Sequence, residues 1–105
     1  MLAELEIVPI GTGTPSVSAI IAEIAKLIDA SGLRYRVGAM GTVVEGEWDQ
    51  IMALAKRCHE AARAATGRVM TTIRLDDRTD KPGSRIVEKV RAVEAKVGKP
   101  LVRDT

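Results

Sequence analysis

Residues 33–47, LRYRVGAMGTVVEGE, decide the fold. LRYRVG (33–38) alternates in polarity and GTVVEGE (41–47) is rich in β-branched residues and glycine, with Ala39 and Met40 as the link. Such a pair predicts a tight β-hairpin. A helical pattern lies on either side of it. Over 17–30, Val17, Ile20, Ile21, Ile24, Leu27 and Ile28 mark one apolar stripe, and Gly32 supplies a stop. Over 48–65, WDQIMALAKRCHEAARAA places Ile51, Leu54, Ala55, Cys58, Ala62 and Ala65 on one side, with Gly67 ending the run. Its alanines favour helix and permit close approach to a sheet.

Further out, the period falls to two. Residues 2–10 set Ala3, Leu5 and Ile7 against Glu4, Glu6 and Val8, and residues 68–76 set Val69, Thr71, Ile73 and Leu75 against Met70, Thr72 and Arg74. Both read as half-buried strands. In the turn GTGTPS (11–16), Thr14 or Ser16 is expected to cap the first helix, with Pro15 in its opening turn. A third helix is expected over 84–97, with Ile86, Val90, Val93 and Val97 inward and Gly98 closing it. The order β-α-β-β-α-β-α predicts an α+β chain: a ferredoxin-like βαββαβ antiparallel sheet, two helices on one face, and an additional C-terminal helix. Residues 1–98 form a single domain in this reading, and the patternless tail 99–105 is expected to fray. The second sheet face mixes Glu4, Glu6, Val8, Met70, Thr72 and Arg74, so part of it is expected to be buried by self-association.

Composition removes several functions. The 105 residues carry 16 Lys+Arg and 14 Asp+Glu, a net charge of +2, which is too weak and interspersed for a nucleic-acid surface. Tyr35 and Trp48 are the sole aromatics, so a base-stacking platform is excluded. Cys58 and His59 are single copies, which excludes an internal disulfide and argues against a zinc site. No apolar run reaches membrane-spanning length and the first residues lack a signal-peptide pattern, so a cytoplasmic protein is expected.

Enzyme chemistry finds little support. Neighbouring Cys58 and His59 point about 100° apart on a helix, so they do not form a dyad. Cys58 reads as a small buried hydrophobe and His59 as a partly exposed surface residue. Acylphosphatases share the fold class but need an asparagine, and this chain has none. GTGTPS lacks the lysine of a P-loop and the spacing of GxGxxG, so it reads as a turn and cap with spare hydroxyls on Thr12, Thr14 and Ser16. In DDRTDK (76–81) Arg78 and Lys81 dilute the acids, which favours a solvated loop over a cation site. The segment MGTVVEGEW (40–48) is the most informative. Glu45 is either a solvated edge residue or an acceptor for an amine-bearing heterocycle. In the second case Thr42 adds a hydroxyl and Trp48 a flat apolar wall, while Met40 is either core or wall.

IVPIGTGTPSVS (7–18), SGLRYRVGAMGTVVEGEWDQIM (31–52) and RVMTTIRLDDRTDK (68–81) together resemble the small thiamine-binding protein family over about residues 3–96. The resemblance implies a ferredoxin-like sheet that pairs with another subunit and reaches a homotetramer built from dimers. It also implies non-enzymatic binding of thiamine or its hydroxymethylpyrimidine moiety near a subunit interface, with no further cofactor or metal. Carried over by position, the pocket uses Thr12, Thr14 and Ser16 of the turn with Met40, Gly41, Thr42 and Glu45. The competing reading is an oligomeric structural or assembly subunit with no ligand.

Overall fold

The hairpin forms at the expected place, as β2 (Arg34–Val37) and β3 (Thr42–Glu45). The computed structural model describes residues 1–15, 17–80 and 85–102. Around the hairpin stand β1 (Leu2–Pro9), α1 (Ser18–Ala30), α2 (Trp48–Thr66), β4 (Val69–Asp76) and α3 (Arg85–Val97). The strands order as β2-β3-β1-β4, with each neighbouring pair antiparallel. This is the ferredoxin-like α+β arrangement with a C-terminal helix.

Register sorts the side chains as the period of two requires. Ala3, Leu5 and Ile7 stand opposite Leu75, Ile73 and Thr71 of β4, and Ala3 also opposes Val44 of β3. The inner face of the sheet meets Ile24 and Ile28 of α1 and Ile51, Leu54, Cys58 and Ala62 of α2 in one buried cluster. Cys58 is fully buried there, and burial pushes its thiol up from the ordinary value. His59, one position on, is half-buried, and its Nδ1 lies 2.7 Å from Thr71 Oγ1.

The helix ends are only partly as the sequence suggests. Gly67 takes φ +79° as the left-handed cap of α2 and donates its N–H to the Arg63 carbonyl at 2.7 Å. At α1, however, the N-cap is Val17, which has no side-chain acceptor. The Thr12 hydroxyl instead donates to the Thr14 carbonyl at 2.6 Å, closing the turn on itself. Ser16 lies outside the described residues.

The outer face is covered at one end by α3, where the expected apolar stripe holds at Ile86 and Val90, both half-buried, and fails over the last turns. Val93 and Val97 are half exposed, at 51% and 53%, while Glu94 is buried. The reason is polar: Glu94 Oε2 accepts the Leu101 N–H at 2.6 Å, so the segment after Gly98 folds back on α3 at Leu101 where fraying was expected. Away from α3, Val8 and Met70 oppose each other on the outer face at 42% and 59% exposure.

Candidate functional site

A mismatch of strand lengths makes the cavity. β1 and β4 pair along eight residues, to Pro9↔Val69, but the β1–β3 ladder stops at Leu5↔Thr42. The chain turns back there because Gly38 donates its N–H to the Gly41 carbonyl at 2.9 Å, closing the hairpin four residues after β2 begins. The β3-facing side of β1 is therefore left beside open space from Glu6 to Val8. Strand edges carry main-chain donors and acceptors.

That space is a cavity of about 310 Å³, walled by α1, by β1 and by the turn Gly38–Gly41. The α1 wall is apolar: Val17, Ile21, Ile24 and Ile28 follow helical spacing along three turns, with Ala25 beside them. Thr42 brings a half-buried hydroxyl from the first position of β3, on the same sheet face as Leu5 and Val37. Glu6 borders the cavity from the edge of β1, but the register sets its side chain on the outer face with Glu4 and Val8, where it is exposed. Met40 sits at the turn with 83% of its surface exposed, beside the cavity and not in the core. Few polar groups on an apolar wall is the usual design of a small-molecule site, and this volume lies at the small end of the range.

Of the residues that the sequence nominated, Met40, Gly41 and Thr42 meet here. Thr12 and Thr14 do not line the cavity. Trp48 opens α2, is 55% exposed and belongs to the other end of β3. Glu45 stands three residues from Thr42 and so on the opposite face, about 10 Å along the strand. Its Oε1 accepts the main-chain N–H of Ile86, 3.0 Å away, which is an orphan donor in the first turn of α3. Lys89 of the same helix pairs with Asp76 of β4. Glu45 thus fastens α3 to the outer face. Glu45→Ala is expected to cost about 1 kcal/mol in urea unfolding, the usual worth of a lost helix cap. It should raise amide exchange at Ile86 while leaving cavity binding unchanged. Unaltered stability and exchange would contradict the assignment.

What the sequence did not offer was the α1 wall of the cavity, because strand alternation reports the face of each residue and not where a neighbouring ladder ends. The DDRTDK loop carries an Arg78–Asp80 ion pair at 2.6 Å, and Lys81 lies outside the described residues. Among the described residues no group of three His, Cys, Asp or Glu is placed to hold a metal ion.

The model of a family described as "Thiamine-binding protein" matches residues 3–94. The chain belongs to the thiamine-binding protein family. A UPF0045 protein of Bacillus subtilis is 42% identical over 85 residues, covering 76% of this chain and 82% of its own. One from Synechocystis sp. is 38% identical over 95 residues, covering 90% and 77%. The crystal structure of a hypothetical protein from Methanocaldococcus jannaschii aligns at TM-score 0.81 with 30% identity, over 88% of this chain and 93% of that one. A Thermotoga maritima protein described as one of thiamine biosynthesis/salvage aligns at TM-score 0.75 with 25% identity, over 88% and 96%. Within this thiamine-binding family chain, the hairpin motif supplies the cavity wall and the Glu45 end of the same motif supplies the anchor of α3.

Proposed function

We propose that this protein binds thiamine, or the hydroxymethylpyrimidine part of it, in the cavity between α1, β1 and the hairpin, and does not convert it. The observation that carries the reading is the cavity itself: about 310 Å³ of mostly apolar space with Thr42 and an unpaired stretch of strand edge in its wall. An aminopyrimidine carries an amine donor and ring-nitrogen acceptors, which strand-edge groups and a hydroxyl complement.

Binding without chemistry is supported by the state of the reactive side chains. Cys58 is sealed in the core and His59 is engaged with Thr71, and neither lines the cavity. The reading includes a homotetramer built from dimers, supported by the exposed Val8 and Met70 of the outer face. It also includes a cytoplasmic location, which a free buried thiol suits. Among the described residues no helix is long and apolar enough to cross a membrane.

Calorimetric titration of the purified protein with thiamine and with hydroxymethylpyrimidine tests the proposal. Saturable binding is expected, weakened by Ala25→Met, which fills the cavity from α1. Absence of heat at millimolar ligand would leave only a structural subunit.

A further inference from the structure

We infer that the Ile7 main chain is the recognition element of the cavity, a donor and an acceptor side by side that select rings carrying an amine next to a ring nitrogen. This rests on the reading of the cavity as a thiamine site, and it says which end of thiamine enters and how that end is held.

In an antiparallel ladder, successive residues of a strand turn their N–H and C=O alternately to one neighbour and the other. Two bonds at the ends of β1 set the phase. The Gly46 N–H donates to the Met1 carbonyl at 3.0 Å, so the odd-numbered residues of β1 face β3. The Ile10 N–H donates to the Arg68 carbonyl at 2.9 Å, so the even-numbered ones face β4. Glu6 and Val8 therefore turn to Thr72 and Met70, while Ile7 turns both its groups to the β3 side. It stands one hydrogen-bonded rung past the last pair, Leu5↔Thr42, where the hairpin has already turned back. Pro9, next on the same edge, has no N–H to offer, which a strand tolerates where no ladder runs. Ile7 lines the cavity and is 8% exposed, and among the described residues no hydrogen bond reaches its N–H or C=O. A buried main-chain pair costs free energy until water or a guest bonds it.

Both groups lie in the plane of the sheet, so a guest that meets them together lies in that plane as the missing rung. The α1 side chains, Ile21 and Ala25 among them, then pack against one face of it. A flat ring with an amine beside a ring nitrogen satisfies the pair at once: the amine donates to the Ile7 carbonyl and the ring nitrogen accepts the Ile7 N–H. The aminopyrimidine of thiamine has that edge and the thiazolium ring does not, so the pyrimidine end goes inward. Replacing the amine by a carbonyl reverses the edge, and in the same pose oxygen meets oxygen and N–H meets N–H. Turning the ring over restores the bonds only by exchanging the ends at which its methyl and its thiazolium-bearing carbon sit. The turn Gly38–Gly41 walls off one of those ends.

Calorimetric titration of the wild-type protein with thiamine and with oxythiamine, which bears a carbonyl in place of the pyrimidine amine, tests the inference. Hydrogen exchange of the Ile7 amide, followed by NMR, accompanies it. Thiamine should bind at least about tenfold more tightly than oxythiamine, the worth of one mispaired buried hydrogen bond. The Ile7 amide should exchange faster than those of Glu6 and Val8 in the free protein, and thiamine at about ten times its Kd should slow it roughly tenfold. Equal affinities overturn the inference and leave the thiamine site standing. An Ile7 amide as protected as its neighbours before ligand is added, or unmoved by thiamine, overturns it as well. Absence of heat with both compounds removes the thiamine reading and the inference together.

Discussion

Leu54→Ala is expected to destabilise the protein by about 3 kcal/mol and to lower the thermal midpoint by more than about 10 °C. Leu54 is fully buried on α2, in the cluster that also receives β1 and α1. The loss has two parts, the transfer free energy of the deleted atoms and the void they leave. The second part is large here because the cluster contains Ala3, Ala55 and Ala62, whose side chains are too short to move into the gap. A domain of this size has roughly 5–15 kcal/mol in all, so the variant is expected to stay folded but near its limit. Urea unfolding followed by circular dichroism measures it, with an unchanged slope showing that the denatured state is unaffected. A cost below about 1 kcal/mol would mean that α2 does not organise the core as described.

Gly38→Ala is expected to strike both stability and binding. A β-carbon at this position would lie 2.9 Å from the Gly41 carbonyl oxygen, closer than packed atoms tolerate, and the obstacle is main chain. The same oxygen accepts the Gly38 N–H, so relief of the clash breaks the bond that closes the turn. Gly41 has little room either, since a β-carbon there would stand 3.1 Å from the Leu5 carbonyl oxygen. The hairpin end must therefore shift as a unit, at a cost of about 1–3 kcal/mol, the usual range for forced overpacking. Because Gly38 to Gly41 form one wall of the cavity, thiamine affinity is expected to fall by at least about tenfold, or 1.4 kcal/mol. Paired urea and calorimetric measurements separate the two effects. A destabilised variant with wild-type affinity would place the ligand elsewhere.

The sequence carried the fold well because most of it is written in short-range periods. Alternation in 2–9 and 69–76 assigns each residue of β1 and β4 to a face, and the 17–30 and 48–65 stripes assign α1 and α2 to the same side. The site was less legible. Strand parity already separates Thr42 from Glu45, but the partner of Glu45 is an amide 41 positions away, beyond any local pattern. The same holds for α3, where Glu94 takes the buried place expected of Val93 because a distant N–H, that of Leu101, satisfies its carboxylate. The cavity itself depends on where the β1–β3 ladder stops, and that is set by the close approach of two glycine backbones.

The short second and third strands also make the binding space separable from the rest of the molecule. Inserting two residues into each arm of the turn would carry the ladder past Glu6 and seal the notch, since inter-strand bonds recur every second residue. Inserting one would flip the facing side chains and repaint the wall without touching the helices. Arm length is thus a dial that relatives or designers can turn to resize the guest while the cluster around Leu54 stays as it is.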